Sequence, residues 1–229
     1  MTNEPGHAHL DPLVHVDQPD VPTREADARA WAGKAIRDLG HALVGHHLTV
    51  EQIDRVSTTL DALTEELRHG EPRHRDTNRQ EGWMDPPADG QELFGFDERP
   101  ISGRSSPWGL DLHIRRVGDE IVTQLTLGAA HEGAPGRSHG GIVAALFDDV
   151  YGFVLDMMGT PAFTGELGVR YEAGTPIGVP LECRVRLLRQ DGRKLFMHGE
   201  LTHEGKVIAR STATFITIPL DHFRDRTRV

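Results

Sequence analysis

Ser138-His139-Gly140-Gly141-Ile142-Val143-Ala144-Ala145-Leu146-Phe147-Asp148-Asp149-Val150-Tyr151-Gly152-Phe153-Val154-Leu155-Asp156-Met157-Met158 is the stretch on which the fold turns. Apolar residues occupy most of the circumference of a helix drawn through it, from Ile142 to Met158. A helix with so little polar face is buried. The flanking segments alternate with a period of two, as strands do. Leu110, Leu112 and Ile114 alternate with Asp111, His113 and Arg115. After Gly118-Asp119, a tight-turn pair, Ile121, Thr123, Leu125 and Leu127 resume the pattern. Four further strands follow the helix, marked by Leu167 to Tyr171, Leu181 to Leu187, Leu195 to Leu201 and Val207 to Phe215. Asp191-Gly192 and Glu204-Gly205 supply turns that imply antiparallel pairs. An α+β domain follows, with an antiparallel sheet wrapped around one central helix.

Outward from this domain, residues 108–218, the chain changes character. Residues 1–22 read as a flexible lead-in carrying Pro5, Pro12, Pro19 and Pro22, with His7, His9 and His15 scattered among them. Residues 23–70 read as an N-terminal helical hairpin. Ala28, Trp31, Ala32, Ala35, Leu39, Ala42 and Leu43 form one helical stripe, and Val50, Ile53, Val56, Leu60, Leu63 and Leu67 form another. Thr49 and Gln52 have capping-box spacing, and Gly70 and Pro72 end the second helix. Residues 71–107 read as an irregular connection pinned by Trp83, Phe94, Phe96 and Trp108, and residues 219–229 as a short tail.

Composition removes several classes of function. Of 229 residues, 25 are Lys or Arg and 35 are Asp or Glu, a net charge of −10 that disfavours nucleic acid and anionic membranes. The mixed-charge tail Phe223 to Val229 does not alter that expectation. The longest purely apolar run, Ile142 to Phe147, is far short of the ~20 residues that span a bilayer. Met1 to Asp20 lacks the apolar core of a signal peptide. A single cysteine, Cys183, permits neither an intrachain disulfide nor a cysteine zinc cage. No metal site is expected, and a cytoplasmic setting is.

The chemistry concentrates at the start of the central helix. Backbone N–H groups at Gly140 and Gly141 have no partner within the helix, and the helix dipole is positive there. Without side chains, these positions let a substrate oxygen approach and suit a developing oxyanion. Asp148 and Asp149 interrupt an apolar helix, where a carboxylate is costly unless paired. On the residues alone, two glycines serve equally well as a tight helix entry, and an aspartate as half of a salt bridge.

His139-Gly140-Gly141, with an acid nine residues after the histidine and in this strand–helix–strand order, resembles the hotdog-fold acyl-CoA thioesterases of the PaaI and THEM4-like branch. Thr164 to Tyr171 is similar to that family's third strand, and Pro100 to Pro107 to the lead-in of its bacterial members. The resemblance covers residues 100–218. It implies a hotdog fold and hydrolysis of a thioester without a cofactor, coenzyme A being part of the substrate. By the same resemblance Asp148 is the carboxylate acting on water or on the thioester carbonyl. His139 positions the thioester or the loop, Gly140 N–H binds the carbonyl oxygen, and Thr164 orients the water or the carboxylate. The chain departs from the pattern at Gly133, where some members carry Asn. Asp149 is expected in a salt bridge or at the rim.

Gly140 and Asp148 lie eight positions apart on one helix, roughly 12 Å, whereas both must come within about 3 Å of the reacting centre. The spacing therefore predicts that Gly140 of one chain works with Asp148 and Thr164 of a neighbour across a two-fold axis, in a homodimer or a dimer of dimers. Gly141 and the cations Arg137, Arg170, Arg189 and Arg193 are the candidate substrate-binding residues, the cations facing coenzyme A phosphates. Arg184, Arg186 and Lys194 are further candidates. Two other readings remain open at this point. One is a hotdog hydratase or dehydratase, whose motif is not found; the other is a non-catalytic acyl-CoA-binding protein whose N-terminal helices bind a partner.

Overall fold

The computed structural model describes residues 24–72 and 86–218. The lead-in, with His7, His9 and His15, lies outside the described residues, as do Trp83 and the tail. Two helices come first, α1 (Arg24–Gly45) and α2 (Val50–Arg68). Strands β1 (Glu92–Leu93), β2 (His113–Val117) and β3 (Glu120–Thr126) follow, then a 3-10 turn at Ala129–His131 and a small hairpin, β4 (Glu132–Ala134) and β5 (Arg137–Ser138). Helix α3 (Gly140–Met158) precedes β6 (Ala162–Tyr171), β7 (Pro180–Asp191), β8 (Lys194–His203) and β9 (Lys206–Thr217). Seven strands form one sheet in the order β1-β2-β3-β7-β8-β9-β6, and every pair is antiparallel. The expected order of two strands, a helix and four strands is thus present, and β6 is left at an edge.

The turns follow their residues. Gly118, Gly192, Glu204 and Gly205 all have positive φ, at 62°, 55°, 49° and 74°. That backbone twist matches the twist of the strands a tight hairpin joins. At the end of α3, Gly159 takes a left-handed conformation (φ 58°) and Thr160 N–H reaches back to the Leu155 carbonyl. Glycine accepts this cap without steric cost.

Helix α3 lies against the sheet as its apolar circumference requires. Val143, Leu146, Phe147, Val150, Tyr151, Phe153, Val154 and Leu155 are buried. They pack with Ile121, Leu125, Leu181, Val185, Leu195, Met197, Leu201 and Phe215 in one core cluster. Gly199 makes room for this packing: a Cβ there would lie 2.8 Å from Val185 Cγ1 and 3.0 Å from the Phe147 ring. Cys183 is fully buried among these residues, and burial pushes its thiol well above the ordinary range. It has no accessible nucleophilic role.

The N-terminal helices form but do not pack as a closed hairpin. Helix α2 has the expected Thr49–Gln52 capping box yet no buried residue, and Val50, Leu63 and Leu67 remain exposed. Helix α1 docks by a different face from its apolar stripe. Ala26 and Gly33 are the buried positions, while Trp31 is 77% exposed. A Cβ at Gly33 would lie 2.5 Å from the Ser105 backbone. The guanidinium of Arg37 donates to the carbonyls of Arg104 and Ser106 and pairs with Asp111 at 2.6 Å. Specific polar contacts set the seat of α1, and periodicity does not register them.

Residues 86–107, the described part of the connection before residue 108, are built into the fold. Strand β1 extends the sheet, Phe96 is buried, and Asp97, 2% exposed, holds Arg104 through two hydrogen bonds. Trp108 does not pin it, being 81% exposed. No helix among the described residues is long and apolar enough to cross a membrane.

Candidate active site

The N-terminus of α3 is built by its own sequence. His139 is the N-cap, with extended backbone (φ −62°, ψ 135°), and its Nδ1 accepts the Gly141 N–H at 3.0 Å. An accepting Nδ1 carries no proton, so the neutral ring holds its proton on Nε2 and presents a donor on its far side. His139 is exposed, so that donor is open to solvent. The Gly141 N–H is thereby occupied and is not free for substrate, contrary to the expectation that Gly141 binds it directly. The Gly140 N–H has no acceptor among the described residues. One unpaired N–H at a helix start remains, suited to a single oxyanion.

Eight positions on, Asp148 is exposed and accepts a hydrogen bond from Thr164 Oγ1 at 2.8 Å. Strand β6 is bulged between Thr164 and Glu166, with Gly165 as the extra residue. A bulge re-aims the adjoining side chain. At the other end of the same strand, Tyr171 donates to the Gly140 carbonyl at 2.7 Å. Both ends of β6 are therefore tied to α3, Tyr171 to the helix start at Gly140 and Thr164 to its middle at Asp148. Asp149 turns the other way. Its side chain is 9% exposed and its Oδ1 lies 3.3 Å from Arg99, which also covers the Phe153 ring at 4.9 Å. This is the expected salt bridge, although its partner was not foreseen.

The departure at Gly133 has a steric reading. A Cβ there would lie 2.7 Å from His139 Cα and 3.1 Å from its Cδ2. The His139 ring occupies the space that a side chain at 133 would need, so this loop holds no asparagine as it is built.

The candidate cations fall into two groups within one subunit. Arg193 Nε donates to the Thr217 carbonyl at 3.0 Å, and Thr217 pairs with Ala162 at the start of β6, the Thr164 end. Arg189 lies over the Phe196 ring at 3.7 Å near the same β7–β8 turn. Arg137 packs on Gly174, and Arg170 pairs with Glu172 at 3.2 Å, both toward the Tyr171 end. Arg184 is held by Glu182 and Glu120, and Arg186 faces Glu120 at 3.8 Å, so these two serve the sheet surface. Among the described residues, no three His, Cys, Asp or Glu side chains stand together as a metal site.

Residues 136–209 match the family model of the thioesterase superfamily. A solved structure described as a thioesterase superfamily protein superposes with a TM-score of 0.68 at 25% identity, covering 82% of this chain and 94% of that one. The fold is that of the thioesterase superfamily. Among curated proteins, the acyl-coenzyme A thioesterase THEM5 of Mus musculus is 29% identical over 92 residues, 39% of this chain and 37% of that protein. The same enzyme of Homo sapiens is 28% identical over 96 residues, 41% of this chain and 39% of that protein. The chain thus aligns with about two fifths of the length of these relatives. The hotdog expectation and the thioesterase-superfamily resemblance are both met. Gly140 and Asp148 lie on α3 and Thr164 lies on β6, a strand at one edge of the sheet.

Two features escaped the sequence reading. Arg99 sits in a segment without periodicity, and its seat depends on Gly152, where a Cβ would lie 2.6 Å from its Nη2. The bulge at Gly165 did have a signal, a glycine in a strand pattern, although Gly168 in the same strand pairs without a bulge.

Proposed function

We propose that this protein is an acyl-CoA thioesterase of the PaaI and THEM4-like branch, acting in the cytoplasm as a homodimer or a dimer of dimers. The observation that carries the reading is the exposed Asp148 carboxylate, oriented by Thr164 at 2.8 Å, on the helix whose first N–H, at Gly140, has no partner among the described residues. The two THEM5 relatives are named as acyl-coenzyme A thioesterases, which supports it.

In the proposed reaction, Asp148 takes a proton from water as the water oxygen attacks the thioester carbonyl. The resulting oxyanion is held by Gly140 N–H, while His139 fixes the helix start that presents it. Collapse breaks the carbon–sulfur bond, and the proton passes to the departing thiolate, giving the free acid and coenzyme A. Direct attack by Asp148 would give a mixed anhydride that water then opens, with the same products. No group beyond the coenzyme A of the substrate is needed.

Each site requires two subunits, because Gly140 and Asp148 are roughly 12 Å apart on one helix. Strand β6 offers the means, since its outer edge is unpaired in the sheet order. Antiparallel pairing of β6 with a second copy about Leu167 and Gly168 sets Thr164 of one subunit opposite Tyr171 of the other. Asp148 then meets the partner's Gly140. The same operation brings Arg189 and Arg193 of one subunit to the end that carries Arg137 and Arg170 of its partner, a local cationic surface for coenzyme A phosphates on an acidic protein.

The test is thiol release from short, long and aromatic acyl-CoA esters, with Asp148→Asn beside wild type. Turnover by wild type and a loss of at least about 10²-fold in the folded variant is expected. Acyl-CoA binding without turnover by wild type would favour a non-catalytic binding protein. Undiminished turnover in the variant would move the chemistry to another residue.

A further inference from the structure

The loop that delivers His139 is fastened to the N-terminal helix through a pair of imidazoles. His41, on the docked face of α1, accepts the Ala130 N–H on its Nδ1 at 3.0 Å. Its ring meets that of His131 edge-on, centroids 4.6 Å apart and planes at 84°. His131 accepts the Gly128 N–H on its own Nδ1 at 3.1 Å, and its backbone carbonyl accepts the His139 N–H at 2.8 Å. His139 then caps α3 through Gly141. An unbroken series of polar contacts therefore runs from α1 to the helix start that carries the Gly140 N–H.

The seat of His41 is shaped to fit. A Cβ at Gly128 would lie 2.7 Å from His41 Nδ1 and 2.8 Å from Cε1, so the imidazole lies directly on bare backbone. Gly45, one turn on, lets α1 close on Ala129, where a Cβ would lie 3.0 Å from the alanine methyl. Small displacements of such a loop matter, because a misplacement of about 1 Å can cost about 10²-fold in rate.

We infer that His41 is a positioning residue for the thioesterase site: it clamps the 128–139 loop and so fixes where His139 and the Gly140 N–H stand. The inference rests on the proposed thioesterase reading for its kinetic consequence, while the clamp itself can be read without turnover. It gives α1 a role in the chemistry in addition to a role in packing.

The full chain is compared as wild type, His41→Ala, His41→Gln and His41→Asn. Asparagine places its side-chain carbonyl close to where Nδ1 stands; glutamine keeps bulk and polarity but carries its carbonyl one carbon farther out. Amide hydrogen exchange over residues 128–141 and kcat and KM for the best acyl-CoA ester are measured on each. His41→Ala and His41→Gln are expected to speed exchange across the loop and lower kcat about tenfold with KM within about twofold. Exchange in β7–β9 stays as in wild type, and His41→Asn recovers both loop protection and kcat. His41→Gln carries the test if the alanine variant does not fold. Unchanged loop exchange in His41→Gln, or a loosened loop with kcat unchanged, overturns the inference. A failure of His41→Asn to recover what His41→Gln loses also overturns it. A wild type that releases no thiol refutes the thioesterase reading alone, and the exchange comparison still decides whether His41 holds the loop.

Discussion

Asp148 and Asp149 are neighbours on one helix, and their replacement should have opposite consequences. The Asp149 carboxylate, 9% exposed, faces Arg99, 15% exposed, at 3.3 Å. Truncation to alanine leaves the arginine charge in a largely dry site without this partner. Breaking a buried pair in this way costs about 3–5 kcal/mol. Two features point to the lower end of that range. Asp149 Oδ2 is buried with no hydrogen-bond partner of its own, so the native carboxylate is incompletely satisfied. Alanine also gains about 0.5 kcal/mol of helix propensity over aspartate. Asp149→Ala should therefore lose about 3 kcal/mol, which for a chain of this size is about 6–12 °C in Tm. Asp148 is exposed and gives up one hydrogen bond, to Thr164. About half of that loss of about 1 kcal/mol is offset by the same propensity gain. Asp148→Ala should unfold within about 1 kcal/mol of wild type while losing turnover. Urea unfolding at fixed protein concentration measures both. Adding Arg99→Met to Asp149→Ala should recover part of the loss, since replacing both members of a buried pair by apolar groups costs less than removing one of them. Equal costs for the two aspartates, or an Asp149→Ala protein as stable as wild type, would refute this assignment of roles.

Two other outcomes follow from particular contacts. Gly199→Ala inserts a methyl 2.8 Å from Val185 and 3.0 Å from Phe147; it should cost about 1–3 kcal/mol in urea unfolding, and a neutral result would show that α3 can shift on β8. His131 is held down to about 4, chiefly by burial and then by His41 beside it, with Asp111 acting weakly in the opposite sense. The unfolded chain therefore binds more protons than the folded one between about pH 6.5 and 4, so stability falls as pH drops through that window. His131→Asn should flatten this part of the stability profile, and a profile unchanged by the substitution would place the acid sensitivity elsewhere.

How far the sequence could be read varies with the kind of interaction. The apolar face of α3 and the alternation of β3, β7 and β8 are dense, local and periodic, so they announce the sheet and its central helix. Two-residue turns such as Glu204-Gly205 announce antiparallel pairing because few residues accept positive φ at both positions. The pairing of Asp148 with Thr164 came from resemblance, since a contact across sixteen residues leaves no periodic trace. What the sequence concealed is irregular and polar. Helix α1 turns its small and polar residues inward and leaves Trp31 outside, because Arg37 and His41 find backbone partners that no pattern records. The same holds for Arg99, which crosses fifty residues to reach Asp149. The occupied N–H of Gly141 depends on the ring orientation of one histidine, and composition carries no hint of it.

The proposed thioester site is shared between Gly140 of one subunit and Asp148 of its neighbour. Gly140→Pro removes the N–H at the first helical position; the extended His139 (ψ 135°) is compatible with a following proline, and the Tyr171 hydroxyl, 3.0 Å from the new Cβ, must give by a few tenths of an ångström. Asp148→Asn removes the carboxylate. Each variant alone should be inactive in thiol release. Mixed and allowed to exchange subunits, the two should regain activity, because a dimer of one variant with the other holds one site with both residues intact. Turnover should return in the mixture; two inactive variants that stay inactive after proven subunit exchange would refute a shared site.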